Sequence, residues 1–148
     1  MTKVLGLDRA TGKILWSQTA HKGLPKQKRH TKATHANSTP ATDGRFVVAM
    51  FGSEGLFCYT TDGTLKWKKD LGILKAGPDD APDLEWGFAG SPIIHRGRVV
   101  LQCDVLNEGF IAVFELETGK EMLRIPRKEV ATWSTPAIYS SEDRTHIV

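Results

Sequence analysis

Residues 7–16 read LDRATGKILW, and this stretch decides the fold. An apolar run ends at Asp8, a Thr-Gly pair follows, and a second apolar run ends in Trp16. Glycine between two short apolar runs is typical of a tight turn, because it adopts the positive φ that such turns require. The stretch therefore predicts two short antiparallel strands joined by a hairpin turn.

The same pattern recurs twice along the chain. Residues 56–67 read LFCYTTDGTLKW, and residues 111–123 read IAVFELETGKEML. The turn glycines Gly12, Gly63 and Gly119 lie 51 and 56 residues apart. A chain that repeats itself at such a period is built from copies of one supersecondary unit.

A second pattern lies between the copies of the first. It consists of small polar residues, a proline and an apolar run, and it occurs at residues 38–48, 91–100 and 134–139. Each full period therefore holds four short strands. Repeats of about 40 to 50 residues with four strands each are the signature of a β-propeller, whose blades are four-stranded antiparallel sheets around a central channel.

The order of the patterns predicts an all-β propeller segment of about three blades' worth of strands. With strands lettered A to D from the centre outwards, residues 1–16 supply strands C and D of a half-blade. Residues 38–67 and 91–123 form two complete blades, and residues 134–148 supply strands A and B of another half-blade. Because propellers close with about 4 to 8 blades, we expect residues 1–148 to be one segment of a longer propeller, unless copies assemble into a ring.

The turn-and-tryptophan stretches resemble the repeat of the quinoprotein (PQQ-like) β-propellers, which reads Asp, two residues, Thr-Gly, and Trp four positions after the glycine. The resemblance implies that the tryptophans dock between neighbouring blades. It departs at Leu123, where a tryptophan is expected, and at Asp62, which replaces the turn threonine. We therefore expect one weaker interface. The structural docking residues implied by the resemblance are Trp16, Trp67, Gly12, Gly63 and Gly119.

The two faces of the predicted propeller differ in the length of their loops. Tight turns occupy one face. The other collects the long connections 17–37, 68–90 and 124–133, together with residues 52–55 and 104–108. Functional residues concentrate on long loops held by a rigid scaffold. We therefore expect the binding face on the long-loop side.

Large polar or aromatic side chains stand on that face, several of them just before an inner strand. The candidate ligand-binding residues are His35, Asn37, Trp86, Trp133, Glu54 and Asp104. A ring of indoles and an imidazole at the channel mouth would stack on a planar ligand or grip a peptide. The alternative is that these side chains only plug the channel and pack between blades.

Charge is unevenly distributed along a chain of formal net charge +3. No acidic residue lies between Asp8 and Asp43, whereas residues 22–32 carry five Lys and Arg side chains. Such a loop would bind phosphate in a salt-sensitive way, but it lacks the interleaved aromatics of single-strand binders. We expect a solvated loop, steadied by the acidic residues 79–85, and no nucleic-acid partner.

The usual catalytic constellations do not appear. Cys58 and Cys103 lie inside apolar runs, which favours buried free thiols over a disulfide. His30 and His35 are five residues apart, which matches no standard zinc spacing. We therefore expect no catalytic residue, no metal site and no resident cofactor.

Two functions remain open. The first is a non-catalytic scaffold that presents its long-loop face to a protein, peptide or small molecule, with further blades of the same chain beside it. The alternative, implied by the resemblance, is a piece of a dehydrogenase that binds pyrroloquinoline quinone with calcium. Trp86 or Trp133 would then be the stacking platform. The adjacent-cysteine disulfide common in such enzymes is absent, since Cys58 and Cys103 are far apart in sequence.

Membrane insertion is not expected. The longest apolar run, residues 46–51, is six residues long, whereas a membrane-spanning helix needs about 20. The segment shows no signal-peptide core. The family resemblance alone implies a periplasmic or extracytoplasmic location.

Overall fold

Twelve β-strands account for the architecture of the computed structural model, which describes residues 1–106, 108–142 and 144–148. Asn107 and Asp143, which fall in the expected connection 104–108 and the expected half-blade 134–148, lie outside the described residues. The strands are β1 (Thr2–Leu7), β2 (Ile14–His21), β3 (Ala41–Thr42), β4 (Phe46–Met50), β5 (Leu56–Thr60), β6 (Leu65–Lys69), β7 (Ile93–His95), β8 (Arg98–Cys103), β9 (Gly109–Glu115), β10 (Glu121–Arg127), β11 (Ile138–Ser140) and β12 (Thr145–Ile147). Two single 3₁₀ turns, Gly52–Glu54 and Pro82–Leu84, interrupt the loops.

The strands form four antiparallel sheets in chain order. Strands β3 to β6 and strands β7 to β10 make two four-stranded sheets, while β1–β2 and β11–β12 make two-stranded ones. We call these sheets blade 1 (β1–β2), blade 2 (β3–β6), blade 3 (β7–β10) and blade 4 (β11–β12). The predicted fold class, with two complete blades and two half-blades, is confirmed.

Blade 2 is buried on both faces, because successive side chains of a strand point to opposite sides of the sheet. Phe46, Val48 and Met50 of β4 pack into a core shared with blade 3. Ala49, in contrast, packs with Phe57 and Tyr59 into a second core against blade 1. The near-continuous apolar run of β4 is therefore the sequence of a strand with a neighbouring blade on each side.

The outermost strands extend further than the sequence predicted. Strand β2, the outer strand of blade 1, ends at His21 rather than at residue 16, because Thr2 of β1 still pairs with His21. Strand β10 likewise continues to Arg127, which pairs with Gly109. Pro126 is tolerated in β10 because this strand lies at the edge of the sheet. The long connections consequently begin later than expected.

Tryptophan side chains join the blades on the tight-turn side. The indole nitrogen of Trp16 donates a hydrogen bond of 2.8 Å to the carbonyl oxygen of Thr61. Its ring lies so close to Gly63 that a Cβ added there would be 2.7 Å from the indole. Trp67 repeats the arrangement one blade further, donating 2.7 Å to the carbonyl oxygen of Leu116 and covering Gly119. These turns need glycine for space as well as for positive φ.

The third copy of this contact is absent from the described residues. Leu123 occupies the tryptophan position and is 46% exposed. A Cβ added to Gly12, the corresponding turn glycine of blade 1, would have no neighbouring atom within 4 Å. Leu123 instead lines a groove of about 330 Å³ between blades 3 and 4, together with Ile138 and Ile147.

The inner strands are linked by the segments of Ser or Ser-Thr before proline that precede them. The backbone N–H of Thr39 donates to the Ser91 hydroxyl (2.8 Å), and the backbone N–H of Ser91 donates to the Thr135 hydroxyl (3.1 Å). Hydroxyl side chains at these positions thus satisfy backbone donors of the neighbouring blade. This accounts for the recurrence of small polar residues before each proline.

Both cysteines are free and buried, as predicted. Burial raises the pKa of the Cys58 thiol to about 12 and also raises the pKa of the Cys103 thiol. Among the described residues, no helix combines the length and the apolar character that crossing a membrane requires.

The contact between Trp16 and Gly63 predicts a difference between two glycine substitutions. Gly63 and Gly44 have the same φ, +91° and +90°, but only Gly63 lies under an indole. Gly44→Ala should destabilise the fold by about 1 kcal/mol through backbone strain alone. Gly63→Ala should cost about 1–3 kcal/mol more, because the added methyl group displaces Trp16. Urea unfolding followed by far-UV circular dichroism measures both; equal losses would contradict the docking contact.

Candidate functional site

The three long connections contact one another on one face of the blades. We call residues 22–40 the first connection, residues 70–92 the second and residues 128–137 the third. The Gln27 amide donates to the Glu85 carboxylate at 3.2 Å, which joins the first connection to the second. The Trp133 indole donates to the carbonyl oxygen of Gly87 at 2.7 Å, which joins the third to the second.

Glu54 ties the first connection to blade 2. Its carboxylate is buried in the 3₁₀ turn after β4 and accepts a hydrogen bond of 2.6 Å from the backbone N–H of Lys26. The Nδ1 atom of His21 lies 2.7 Å from the other carboxylate oxygen. His21 is the last residue of the outer strand of blade 1 and Lys26 follows it, so Glu54 fixes the path of the chain where it leaves that strand.

Glu85 plays the same part within the second connection. It is only 3% exposed. Its two carboxylate oxygens accept backbone hydrogen bonds from Ala76 (3.3 Å), Gly77 (2.9 Å) and Gly87 (2.9 Å), in addition to the Gln27 amide. A carboxylate with four donors folds residues 76–87 into a closed loop and sets the position of Trp86.

Asp104 anchors the third connection. It is 2% exposed and accepts hydrogen bonds from Arg127 (2.6 Å), from Gln102 (2.6 Å) and from the Thr132 hydroxyl (3.0 Å). Burial opposes ionisation, but these hydrogen bonds outweigh it and hold the pKa of the Asp104 carboxyl below its ordinary value of 3.8. The carboxylate is therefore charged at neutral pH, and it links Thr132 of the third connection to Gln102 and Arg127 in the strands of blade 3.

An open cleft lies where the three connections meet. It has a volume of about 470 Å³ and is lined by Lys32, Ala33, Asn37, Trp86, Ala89 and Trp133. The indoles of Trp86 and Trp133 are 38% and 46% exposed. Each of these aromatic side chains therefore presents a free surface to a ligand.

The indoles are held in place from outside the cleft. The imidazole of His30 stacks on Trp86, with ring centroids 3.9 Å apart and an interplanar angle of 24°. The Nδ1 atom of His30 accepts a hydrogen bond of 3.1 Å from the backbone N–H of Lys32. Trp133 is fixed by its hydrogen bond to Gly87. The cleft is thus formed before any ligand binds.

Asn37 holds a turn in shape at the edge of the cleft. Its side-chain oxygen accepts a hydrogen bond of 2.6 Å from the Thr34 hydroxyl, and its side-chain nitrogen donates at 2.9 Å to the Thr34 carbonyl oxygen. The amide therefore closes the turn at residues 34–37. This turn forms one wall of the cleft.

The six predicted site residues lie in three places. Asn37, Trp86 and Trp133 are brought together in the cleft. His35 and Glu54 line a separate pocket of about 330 Å³ beside the N-terminal strand. Burial and the nearby Arg29 cation lower the pKa of His35, so this imidazole is neutral at pH 7. Asp104 is buried under the third connection and reaches neither pocket.

Sequence reasoning missed the residues that complete the cleft. Lys32, Ala33 and Ala89 line it, and His30 backs one of its indoles. Their only sequence signal is proximity to the residues before the inner strands. Glu85 was assigned to an exposed acidic stretch, whereas it is buried, because nothing in its local sequence shows the four donors that surround it.

Metal and quinone chemistry finds little support in the arrangement. Across residues 1–106, 108–142 and 144–148, no group of three or more His, Cys, Asp and Glu side chains is placed to hold a metal ion. Cys58 and Cys103 are buried in the core between blades 2 and 3, away from the cleft. Glu85, the carboxylate next to Trp86, is used by backbone donors. Glu85 is therefore not free to hold a calcium ion beside the Trp86 indole.

Replacing Glu85 tests the loop that carries Trp86. Glu85→Gln should destabilise the fold by about 1–3 kcal/mol, because its NH₂ group would face backbone donors and leave them unsatisfied. Hydrogen exchange at residues 76–87 should become faster. The matched control is Asp83→Asn, which removes an exposed carboxylate two residues away. Unchanged exchange in Glu85→Gln would contradict the role assigned to this carboxylate.

The lowered pKa of Asp104 predicts a pH-dependent contribution to stability. A carboxyl whose pKa is lower in the folded state stabilises the fold above its unfolded pKa, and this stabilisation is lost as the pH falls through the folded pKa. The difference in unfolding free energy between the wild type and Asp104→Asn should therefore be about 2 kcal/mol at pH 7 and shrink below about pH 4. Urea unfolding across pH 3–7 measures it, with Asp80→Asn as an exposed control. A difference that grows on acidification would contradict the assignment.

Comparison with known proteins supports the fold at low sequence identity. No protein-family profile matches the sequence, and no curated protein matches it. Among solved structures, a europium-containing methanol dehydrogenase is similar, with 13% identity and a TM-score of 0.57, over 86% of this chain and 21% of that chain. BamB from Moraxella catarrhalis is similar, with 19% identity and a TM-score of 0.56, over 95% of this chain and 40% of that chain.

The chain spans less than half the length of either of these structures. At such identities the likeness shows the fold and not the activity. It confirms the fold predicted from the tryptophan and glycine repeats: the chain has the architecture of a β-propeller.

Proposed function

We propose that this propeller segment is a non-catalytic interaction scaffold that binds a protein, peptide or small-molecule partner on its long-loop face. The observation that carries the proposal is the open cleft between Trp86 and Trp133. Exposed indoles on a preformed surface are typical of binding sites, because they offer a large apolar area at little cost in conformational entropy.

The rigidity of the cleft supports the proposal. Buried carboxylates hold the first and third connections, and Glu85 closes the second. His30 and the carbonyl oxygen of Gly87 fix the two indoles. A site that is already ordered does not pay for ordering its loops when a partner binds.

We also propose that further blades cover the apolar surface at Leu123 and the open turn at Gly12. Elsewhere in the chain a tryptophan packs against a turn glycine of the next blade, at Gly63 and at Gly119. Among the described residues, Leu123 stands at a tryptophan position without such a glycine, and Gly12 is a turn glycine without such a tryptophan. The remaining blades of a longer chain are therefore structural partners. The resemblance to the quinoprotein repeat is the basis for proposing a periplasmic or extracytoplasmic location.

A second candidate is a piece of a quinone-dependent dehydrogenase. The likeness to a methanol dehydrogenase and the two exposed indoles favour it. The engaged carboxylates and the buried, separated cysteines weigh against it. We therefore rank it below the scaffold.

A peptide selection tests the scaffold. Phage-displayed random peptides would be selected on the protein, and their affinities would be measured by calorimetry. We expect selected peptides to contain aromatic or proline residues. Trp86→Ala and Trp133→Ala should each weaken binding at least tenfold, or about 1.4 kcal/mol. Leu24→Ala, a highly exposed side chain outside the cleft, is the control and should have no effect.

Two outcomes would overturn the scaffold. The first is that no peptide is selected, or that selected peptides bind both tryptophan variants as well as the wild type. The second is oxidation of an alcohol, followed by dye reduction, when the protein is supplied with pyrroloquinoline quinone and calcium. That result would establish the dehydrogenase instead.

A further inference from the structure

The charges around the cleft indicate what kind of partner it takes. The first connection carries five basic side chains within residues 22–32. Lys26 is paired with Asp70 at 2.8 Å, and the Arg29 guanidinium donates to the carbonyl oxygen of His30 at 2.9 Å. Within the described residues, Lys22, Lys28 and Lys32 have no carboxylate within 4 Å. Arg29 keeps its charge as well, because a carbonyl oxygen does not neutralise a guanidinium, so four described cations on this connection are free to attract an anionic partner.

Among the described residues, no acidic side chain of the same face, the exposed Glu129 included, forms an ion pair with these lysines. Glu54, Glu85 and Asp104 are buried and engaged with the connections. Asp79 is paired with Lys75 in its own loop. Asp80 and Asp83 are exposed on the second connection, but neither lines the cleft. Among the residues that the structure describes, Lys32 is the only charged side chain that lines the cleft.

The exposed indoles determine which kind of partner side chain fits the cleft. His30 covers one side of Trp86, so only the opposite side is free for stacking. Trp133 is held by its ring nitrogen and offers the exposed part of its ring. A flat or proline ring fits such a surface, because aromatic grooves bind proline and aromatic side chains by stacking and apolar contact.

We propose that the cleft binds an acidic peptide segment in which carboxylates flank an aromatic or proline side chain. The ring lies against Trp86 and Trp133, and a flanking carboxylate pairs with Lys32. The other free lysines of the first connection attract the segment from a distance. This inference rests on the proposed scaffold function and names the partner of the same site.

A peptide is favoured over single-stranded nucleic acid by the shape and lining of the cleft. A nucleic-acid strand is bound along a basic groove that follows its backbone, with several bases stacked in succession. Here one lysine lines an open cleft of about 470 Å³ that holds two indoles rather than a row of them. That arrangement suits one ring with one adjacent anion.

Four fluorescein-labelled nonapeptides test the inference by anisotropy. Three share a Tyr-Pro centre and differ in having glutamate, serine or lysine flanks; the fourth has glutamate flanks around an Ala-Ala centre. The peptide with glutamate flanks and the Tyr-Pro centre should bind at least tenfold more tightly than each of the others. Its advantage over the serine peptide should shrink as NaCl is raised from 50 to 500 mM, because salt screens exposed charges.

A charge reversal assigns the effect to the cleft. Lys32→Glu should weaken binding of the acidic peptide at least fivefold and improve binding of the lysine-flanked peptide. The matched control is Lys13→Glu, which makes the same charge change at an exposed position in the tight turn of blade 1 and should leave both affinities unchanged.

The outcomes separate this inference from the scaffold function. If the serine peptide binds as tightly as the acidic one and Lys32→Glu changes neither, the inference is overturned while the scaffold function stands. If none of the four peptides binds and the peptide selection also yields nothing, both fail. If a labelled dT₁₀ oligonucleotide binds more tightly than the acidic peptide and competes with it, the cleft is a nucleic-acid site and the inference is overturned.

Discussion

A carboxylate removed from water must be supplied with donors, and this requirement shapes the long-loop face of the propeller. An ionised group buried without partners costs several kcal/mol, so the chain around Glu54, Glu85 and Asp104 has to bring N–H and O–H groups to them. Some donors come from the long connections, such as Lys26, Gly77 and Thr132. Others, such as Gln102 and Arg127, come from the strands. Three otherwise irregular segments are thereby held on the rigid sheets. The position of both cleft indoles depends on these carboxylates, since one tryptophan follows Glu85 directly and the other follows Thr132.

The opposite side of the blades is organised by a different interaction. There the indoles of Trp16 and Trp67 pack over glycine turns of the next blade, where no other residue leaves room for the ring. Apolar packing thus fixes the spacing of the blades on the tight-turn side, and charge-assisted hydrogen bonds fix the loops on the long-loop side. The two sets of contacts share almost no residues. Loop composition and affinity can therefore change without loss of the propeller, which agrees with the diversity of functions that one fold supports.

The sequence predicted the parts of the molecule that depend on local chemistry. The Thr-Gly and Asp-Gly turns, the alternating strands and the docking tryptophans repeat at a fixed period, and the blades follow from them. The placement of Asn37, Trp86 and Trp133 near one another also follows, because each stands just before an inner strand.

The stacking of His30 on Trp86 and the burial of Glu85 could not be predicted. They depend on contacts between residues up to 58 positions apart, such as Gln27 with Glu85, and no local pattern encodes the path of an irregular loop. The outer strands were underestimated for a related reason, since their length is set by the partner strand.

The carboxylates that hold the loops also determine the charge that the cleft shows to solvent. The acidic groups nearest the cleft are buried, and their charge is compensated by donors within the loops. Lys22, Lys28 and Lys32 of the first connection, in contrast, have no carboxylate partner among the described residues. Burial of the nearest carboxylates leaves Lys32 as the charged side chain beside two apolar rings, although the formal charge of the whole chain is only +3. Long-range attraction between these lysines and an anionic segment increases the rate of encounter, while the rings supply the apolar contact that holds it. Affinity and orientation at this site thus follow from how the loops satisfy their own buried charges.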